Sequence, residues 1–304
     1  MVSIIYHLSD IYYVFEIRII VDNLVAYGSE FWGEHGFSVL INSSGELTLF
    51  DVGASEEVFM HNLRICEEDL SKLRRIVISH GHYDHTGGLE TLLKTCSKVG
   101  IKPEIYINPF AFNRKYSKGE KGYIYRGMRI NRDFIYENAI MKDAIVKGRE
   151  EKEEGKEKEI GEGMYLLTGV VQKYSFENIE GNFYIRKDEK DENYTKDDFQ
   201  DEISLVLESE GKRYVIVGCA HSGIVNIISS AEEKFGKISG FLGGTHLVNA
   251  KVARMQNTAD ILKKMGIERA YLSHCSGMRA VAFLSSILEG SYISQTSAGM
   301  IIKL

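Results

Sequence analysis

No C-x-x-C pair occurs anywhere in the chain. Its four cysteines, Cys66, Cys96, Cys219 and Cys275, stand far apart. That spacing speaks against a zinc knuckle and against a disulfide framework, and it makes a reducing cytoplasm the simplest compartment. There is no cationic excess either: 37 basic residues face 43 acidic ones, and the pI is near 5.9. Such a surface offers no broad field to draw in a phosphate backbone, so nucleic acid is a disfavoured partner. Nor is there an uninterrupted apolar run long enough to cross a bilayer. The apolar start, MVSIIYHLSDIYYVFEIRIIVDNLV, lacks a basic leader and is broken by Asp10, Glu16, Arg18 and Asp22, so it reads as part of a soluble protein.

What is present is enough for a sizeable core, with 44% hydrophobic residues over 304 positions. Short β-branched runs alternate with longer amphipathic patterns. Strands are predicted at Phe15 to Val21, twice within FSVLINSSGELTLFDVG, and at RRIVISH, PEIYIN, MYLLTGVV, EISLVLES, KRYVIVGCA, ISGFLGGTH, RAYLSHC and GMIIKL. Helices are predicted at HNLRICEEDLSKL, LETLLKTCSKV, IVNIISSAEEKFG, NTADILKKMG and RAVAFLSSIL. The order is that of a mixed α/β protein. KGREEKEEGKEKEIGEG is nearly all charge and has no face to bury, so it reads as a solvated strap. RKDEKDENYTKDDFQD reads as another exposed excursion. Strand patterns flank both, which favours one domain over residues 1–304 with an insertion at about 110–165.

One turn concentrates the chemistry. In VISHGHYDH a hydrophobic strand runs out near Ser79, and His80, His82, Asp84 and His85 follow within six residues. A loop at a strand end is where a rigid sheet can hold reactive groups in the open. Imidazole and carboxylate suit zinc, iron or manganese. Residues two apart in extended chain point the same way, so His80 and His82 can share one ion, while Asp84 and His85 swing toward a second as the chain turns.

His80-Gly81-His82-Tyr83-Asp84-His85 resembles the H-x-H-x-D-H signature of the metallo-β-lactamase superfamily, and Leu49-Phe50-Asp51-Val52-Gly53 resembles its upstream strand-Asp-Gly element. The resemblance implies a four-layer αβ/βα sandwich: two mixed β-sheets packed face to face, helices outside, and a metal site along one sheet edge. EHGFSVLI, SHGHYDHTGGL, DEISLVLESEGKRYVIVGCAHSGIVNI, GGTHL and SHCSG narrow the likeness to the subgroup related to archaeal 7,8-dihydropterin-6-methyl-4-(β-D-ribofuranosyl)aminobenzene-5′-phosphate synthase.

By the same resemblance the remaining ligands come from distant strand ends. His221, after KRYVIVG, is read as a ligand. Cys219 stands where other members carry a bridging aspartate, and either binds as thiolate or packs. His274 completes the second ion's shell. His246, after a Gly-Gly pair, is a supporting, substrate or proton-transfer group. Asp201 and Glu202 stand where other members carry a histidine, as additional carboxylate ligands or supports. Asp51 suits an outer hydrogen bond to a ligand histidine, and His35 suits a substrate contact. His7 and His61 show no supporting pattern.

Two divalent ions, zinc first and iron, manganese or magnesium behind it, imply hydrolysis of an ester, amide or phosphoester through an activated water, with Asp84 or His246 moving protons. The subgroup resemblance implies an alternative: a transferase that expels diphosphate from a dihydropterin-methyl diphosphate and joins it to a ribofuranosylaminobenzene phosphate. A small, phosphorylated substrate fits both. The stretch NPFAFNRKYSKGEKGYIYRGMRINRDF then reads as a lid whose Arg114, Lys115, Lys118, Lys121, Arg126 and Arg129, interleaved with Phe112, Tyr116, Tyr123 and Tyr125, face phosphate. A metal or redox protein without turnover ranks third and a ribonuclease fourth.

Overall fold

A computed structural model of the chain describes residues 14–144, 158–177, 182–187, 190 and 193–304. His7 and most of the charged strap (residues 147–157) lie outside them. Two seven-stranded sheets carry the fold. The first runs in the order Ile301–Lys303, Phe15–Val21, Ser38–Ser43, Glu46–Phe50, Leu73–Val77, Glu104–Ile107, Ile140–Asp143. The second runs Tyr292–Gln295, Arg269–Leu272, Gly240–Gly243, Lys212–Val217, Ser204–Ser209, Met164–Leu167, Glu159–Gly161. Each sheet joins a run of antiparallel pairs to a run of parallel ones.

Three apolar layers hold the stack together. Between the sheets, Phe15, Ile17, Val39 and Phe50 of the first meet Leu205, Leu207, Ile216 and Leu242 of the second. On the outer face of the first sheet, Leu49, Ile76 and Ile105 pack against Phe59 and Leu63 of helix Glu56–Ile65 and Leu92 and Leu93 of helix Leu89–Lys98. On the outer face of the second, Val206, Val215 and Phe241 pack against helices Ile224–Phe235, Val252–Met265 and Met278–Ile287. The helices form where the sequence gives them both a face and an end. Ser55 caps the first by accepting the Val58 amide, with Glu56 and Glu57 in the first turn beside its positive pole. This is the αβ/βα sandwich that the motifs imply.

The polar middle of the chain is organised differently from the sequence reading. Ile140–Asp143 and Glu159–Gly161 are edge strands of the two main sheets, so the stretch 110–165 is not wholly an insertion. Within it the hairpin Arg114–Gly119/Gly122–Tyr125 joins Phe183–Arg186 and Thr195–Lys196 in a third sheet of four strands. The second polar stretch is therefore no mere exposed excursion. Thr195–Lys196 pairs in that sheet, and Asp197, Phe199 and Asp201 are buried. Its polarity hid an ion-paired interior.

Register explains where the reactive loops go. Phe50 pairs with Val77 at the ends of two parallel strands, and Val217, Gly243 and Leu272 stand abreast at the ends of three more. Parallel strands that stop together deliver the loops that follow them to one sheet edge. Asp51, the His80–His85 turn, Cys219, His221, His246, His274 and Cys275 all lie on those loops.

Candidate metal centre

The His80–His85 turn leaves its strand extended and then enters the short helix Tyr83–Thr86, which carries Asp84 and His85. Gly81 is required by contact: a Cβ there would lie 2.1 Å from the Ala111 carbonyl oxygen. The turn is tied to the small sheet by the Tyr83 amide donating to the Arg126 carbonyl at 2.8 Å.

His80, His82 and His221 bring one ligand nitrogen each to within 4.8 Å of one another, all three buried. His80 Nε2 and His82 Nδ1 stand 3.0 Å apart. His82 Nε2 and both nitrogens of His221 are buried without a hydrogen-bond partner. Burial is the main cause that holds all three imidazoles well below their ordinary pKa, with neighbouring positive groups adding to it. They are therefore neutral at pH 7, which is the form that binds a cation. Unpartnered, neutral, converging nitrogens are costly in an interior unless something cationic is shared among them. The donor set fits a divalent ion.

A second set adjoins the first. Asp84 Oδ2 lies 3.3 Å from both His35 Nε2 and His274 Nε2, and the three form another ligand-competent group. His85 Nε2 reaches Cys219 Sγ at 3.2 Å, while its Nδ1 meets Asp51 Oδ2 at 2.6 Å. Burial pushes the His85 pKa down, but the Asp51 and Asp84 carboxylates outweigh it and raise it to about 9. Positive charge is thus favoured at this point. Cys219 belongs to three such groups, with His80 and His85, with His221 and His246, and with His274 and Cys275. It stands at the seam between the two sets.

The other residues singled out in the sequence take distinct places. Asp201 uses one oxygen on the Gly81 amide at 2.7 Å and the other on Lys115 Nζ at 2.9 Å. Glu202 accepts the His221 and Ser222 amides at 2.6 and 2.9 Å. Neither joins a ligand-competent group among the described residues; their carboxylates brace the two histidine loops. His246 faces the cavity, 4.5 Å from the His221 ring, with Nδ1 unpartnered. His35 lines the cavity and packs 4.7 Å from the His274 ring as well as on Asp84. His61 stacks on Trp32 at 3.8 Å, away from the site. Lys115 overturns its reading as a phosphate-facing lid cation. It is 1% exposed, between Asp197 at 2.7 Å and Asp201 at 2.9 Å.

Three residues were missed. Cys275 is buried, accepts the His246 amide at 3.3 Å and joins Cys219 and His274; its place beside His274 in SHCSG was the available signal. Asp22 accepts the His274 amide at 3.0 Å, and Asn23 Oδ1 lies 2.9 Å from His274 Nδ1. These two follow the predicted strand Phe15 to Val21, where Asp22 was read only as a break in the apolar start, and 252 residues separate Asp22 from the histidine it holds.

The backbone is bent to this purpose. Asp51, Ala220, His246 and His274 have φ of 59°, 52°, 51° and 46°. Side chains other than glycine enter this left-handed region at a cost of order 1 kcal/mol or more each, and two of these four, His246 and His274, line one cavity. That cavity, of about 460 Å³, is lined by His35, His82, Asp84, His221, His246 and His274 among others, with Tyr83, Arg126 and Phe183 on the small-sheet side.

The sequence model of the metallo-beta-lactamase superfamily matches residues 32–274. A 7,8-dihydropterin-6-methyl-4-(beta-D-ribofuranosyl)-aminobenzene-5'-phosphate synthase of Methanocaldococcus jannaschii is 27% identical over 300 residues, covering 95% of this chain and 96% of its own. A second, uncharacterised protein of the same organism is 31% identical over 275 residues, 89% and 94% of the two chains. Among solved structures, a metal-dependent hydrolase of the beta-lactamase superfamily superposes with a TM-score of 0.78 at 29% identity, over 95% of this chain and 99% of that one.

Proposed function

Because the chain belongs to the metallo-β-lactamase superfamily, we propose that it is a hydrolase that uses two adjacent divalent ions, zinc foremost, on a small phosphorylated or ester substrate. One observation carries this reading: neutral, unpartnered imidazole nitrogens of His82 and His221 converge with His80 beside a second set that carries the Asp84 carboxylate. His80, His82 and His221 would hold one ion. Asp84, His85 and His274 would hold the other, with Cys219 between them. Ions so held supply Lewis acidity, which makes water more acidic and stabilises negative charge on the reacting group.

The chain's own groups do the rest. Asp84, in reach of His35 and His274, is the proton acceptor on one side of the cavity, and His246 is the donor on the other. Arg126 presents a cation from the small sheet, suited to an anionic substrate. Asp51, Asp201 and Glu202 hold the ligand loops in place. Four free thiols favour the cytoplasm, and among the described residues no helix is long and apolar enough to cross a membrane.

The test combines elemental analysis with turnover of p-nitrophenyl phosphodiesters, phosphomonoesters and thioesters, before and after chelation and in His82→Ala. Turnover that disappears with the metal and with the imidazole supports the hydrolase. A metal-loaded protein inert toward all of them overturns it.

A second reading has an observation of its own, the full-length likeness to the M. jannaschii synthase. In this reading the cavity joins a dihydropterin-methyl diphosphate to a ribofuranosylaminobenzene phosphate. It requires diphosphate release only when both co-substrates are present.

A further inference from the structure

The four-stranded sheet belongs to neither half of the sandwich, yet one of its faces walls the metal cavity. Phe183 and Ser117 are direct partners across one of its ladders, and Ser117 and Ile124 across the next. Directly opposed residues send their side chains to the same side of a sheet. On that side Phe183 and Arg126 line the cavity, and Arg126 donates Nε to the Ser117 hydroxyl at 3.1 Å. The chain neighbours Tyr116 and Tyr184 alternate to the opposite side, where they pack on Tyr125 and Tyr123. We propose that the cavity-side face selects the substrate by class: Phe183 packs on a flat, unsaturated ring and Arg126 pairs with a phosphate joined to that ring, so aryl and heteroaryl phosphates are preferred.

The ring of Phe183 is placed for a ligand rather than for the core. Its centre lies 5.3, 5.4 and 5.9 Å from those of His82, His221 and His246. The packing against these histidines is already done by Phe199, which is buried and stacks on the His221 ring at 3.8 Å. Phe183 adds a second, half-buried ring with one side turned to the cavity. An aromatic wall beside a few placed polar groups is how small-molecule sites fix the orientation of a flat ligand.

Arg126 supplies the charge. Its partners are neutral, the Ser117 hydroxyl and the Tyr83 ring at 5.8 Å, and it pairs with no carboxylate among the described residues. A guanidinium so placed keeps its charge for an anion. The wall is also fixed relative to the ligand histidines, because the Tyr83 amide donates to the Arg126 carbonyl and His82 bridges to Gly127. A phosphate at the histidines would therefore have Arg126 beside it and its ring against Phe183. This selection rests on the phosphorylated-substrate reading proposed above and deepens it.

The test titrates the full-length, zinc-reconstituted protein with phenylphosphonate, cyclohexylphosphonate and methylphosphonate, which cannot be hydrolysed at an ester bond, and reads affinity by calorimetry. The wild type should prefer phenyl to cyclohexyl by about two- to tenfold, the worth of an aromatic pair beyond its area. Phe183→Leu should erase that preference and Phe183→Tyr should keep it. Arg126→Met should weaken all three ligands about tenfold or more, the scale of one hydrogen bond to a charged group, with bound zinc unchanged. No preference for the flat ring, a preference that survives Phe183→Leu, or phosphonate affinity indifferent to Arg126→Met overturns the proposal. If the preference holds while no ester is turned over, the selecting face stands and the hydrolase reading falls; if esters are turned over without the preference, the reverse is true.

Discussion

Asp51 Oδ2 lies 2.6 Å from His85 Nδ1, while the same carboxylate accepts the Ser79 amide and hydroxyl at 2.7 Å each. The imidazole is therefore fixed in rotation, with Nε2 turned to Cys219. Asp51→Asn should lower metal affinity by roughly 10–100-fold, the usual effect of losing an outer partner of a ligand histidine. Competition with a chromogenic chelator measures it, and an unchanged affinity would remove Asp51 from the site.

With the two-ion centre proposed above, changes at single ligands should act on different ions. His221→Ala is expected to cost about one equivalent of bound metal and to leave the second, held on the Asp84 side. Elemental analysis of the reloaded variant distinguishes this from a site that fails as a whole.

Cys275 gives a spectroscopic prediction. With cobalt(II) in place of the native ion, a thiolate ligand produces an intense near-ultraviolet charge-transfer band that imidazole and carboxylate do not. Soft thiolates favour zinc-like ions over magnesium or manganese. Cys275→Ser should diminish the band if Cys275 coordinates, and Cys219→Ser should do so if Cys219 does. An unaltered band in Cys275→Ser would assign Cys275 to packing alone.

Lys115 sits between Asp197 and Asp201 with all three side chains nearly inaccessible. Its charge is held by the two carboxylates, against the cost of burial. Lys115→Met leaves them uncompensated, and removing one partner of a buried ion pair typically costs about 3–5 kcal/mol. Because Asp201 also accepts the Gly81 amide, metal affinity should fall along with the thermal midpoint. A stability loss without any effect on metal binding would detach this network from the centre.

Glu177 offers a test by pH. Burial raises its pKa above the ordinary glutamate value, against the pull of Arg254 and the Val225 amide. The folded chain therefore holds this proton more tightly than the unfolded chain. Relative to Glu177→Gln, the wild type should gain stability as pH falls from neutrality through the folded pKa, and lose it again as pH rises. Parallel Tm profiles of the two proteins from pH 7.5 to 5 would reveal the difference; superimposable slopes would refute it.

The H-x-H-x-D-H turn and the in-register strands were legible because their signal is local: β-branched runs of period two, then ligand types packed into six residues. Phe15–Val21 matched to the residue. What escaped was set by distance or by pairing. The strand Ile140–Asp143 lies beside charge-rich sequence that masks its pattern. Lys115, Asp197 and Asp201 look like surface until folding neutralises them against one another. Asp22 gains its role only when His274 arrives from the far end of the chain. Helix HNLRICEEDLSKL was misjudged at both ends: it starts at Glu56, behind the Ser55 cap, and stops at Ile65, with Leu70–Lys72 a separate 3₁₀ turn. The Glu-Glu-Asp segment read as its interior is a break.

His80, His82, Asp84 and His85 follow strands of the first sheet, whereas Cys219, His221, His246, His274 and Cys275 follow strands of the second. Whatever these side chains grip in common is clasped from both halves of the sandwich at once. Both proposed ion sites draw on both sheets, His80 and His82 with His221 in one, Asp84 and His85 with His274 in the other. Cargo captured here would therefore act as a clasp across the interface, favouring the closed molecule by mass action and making occupancy a readout of whether the two halves have met.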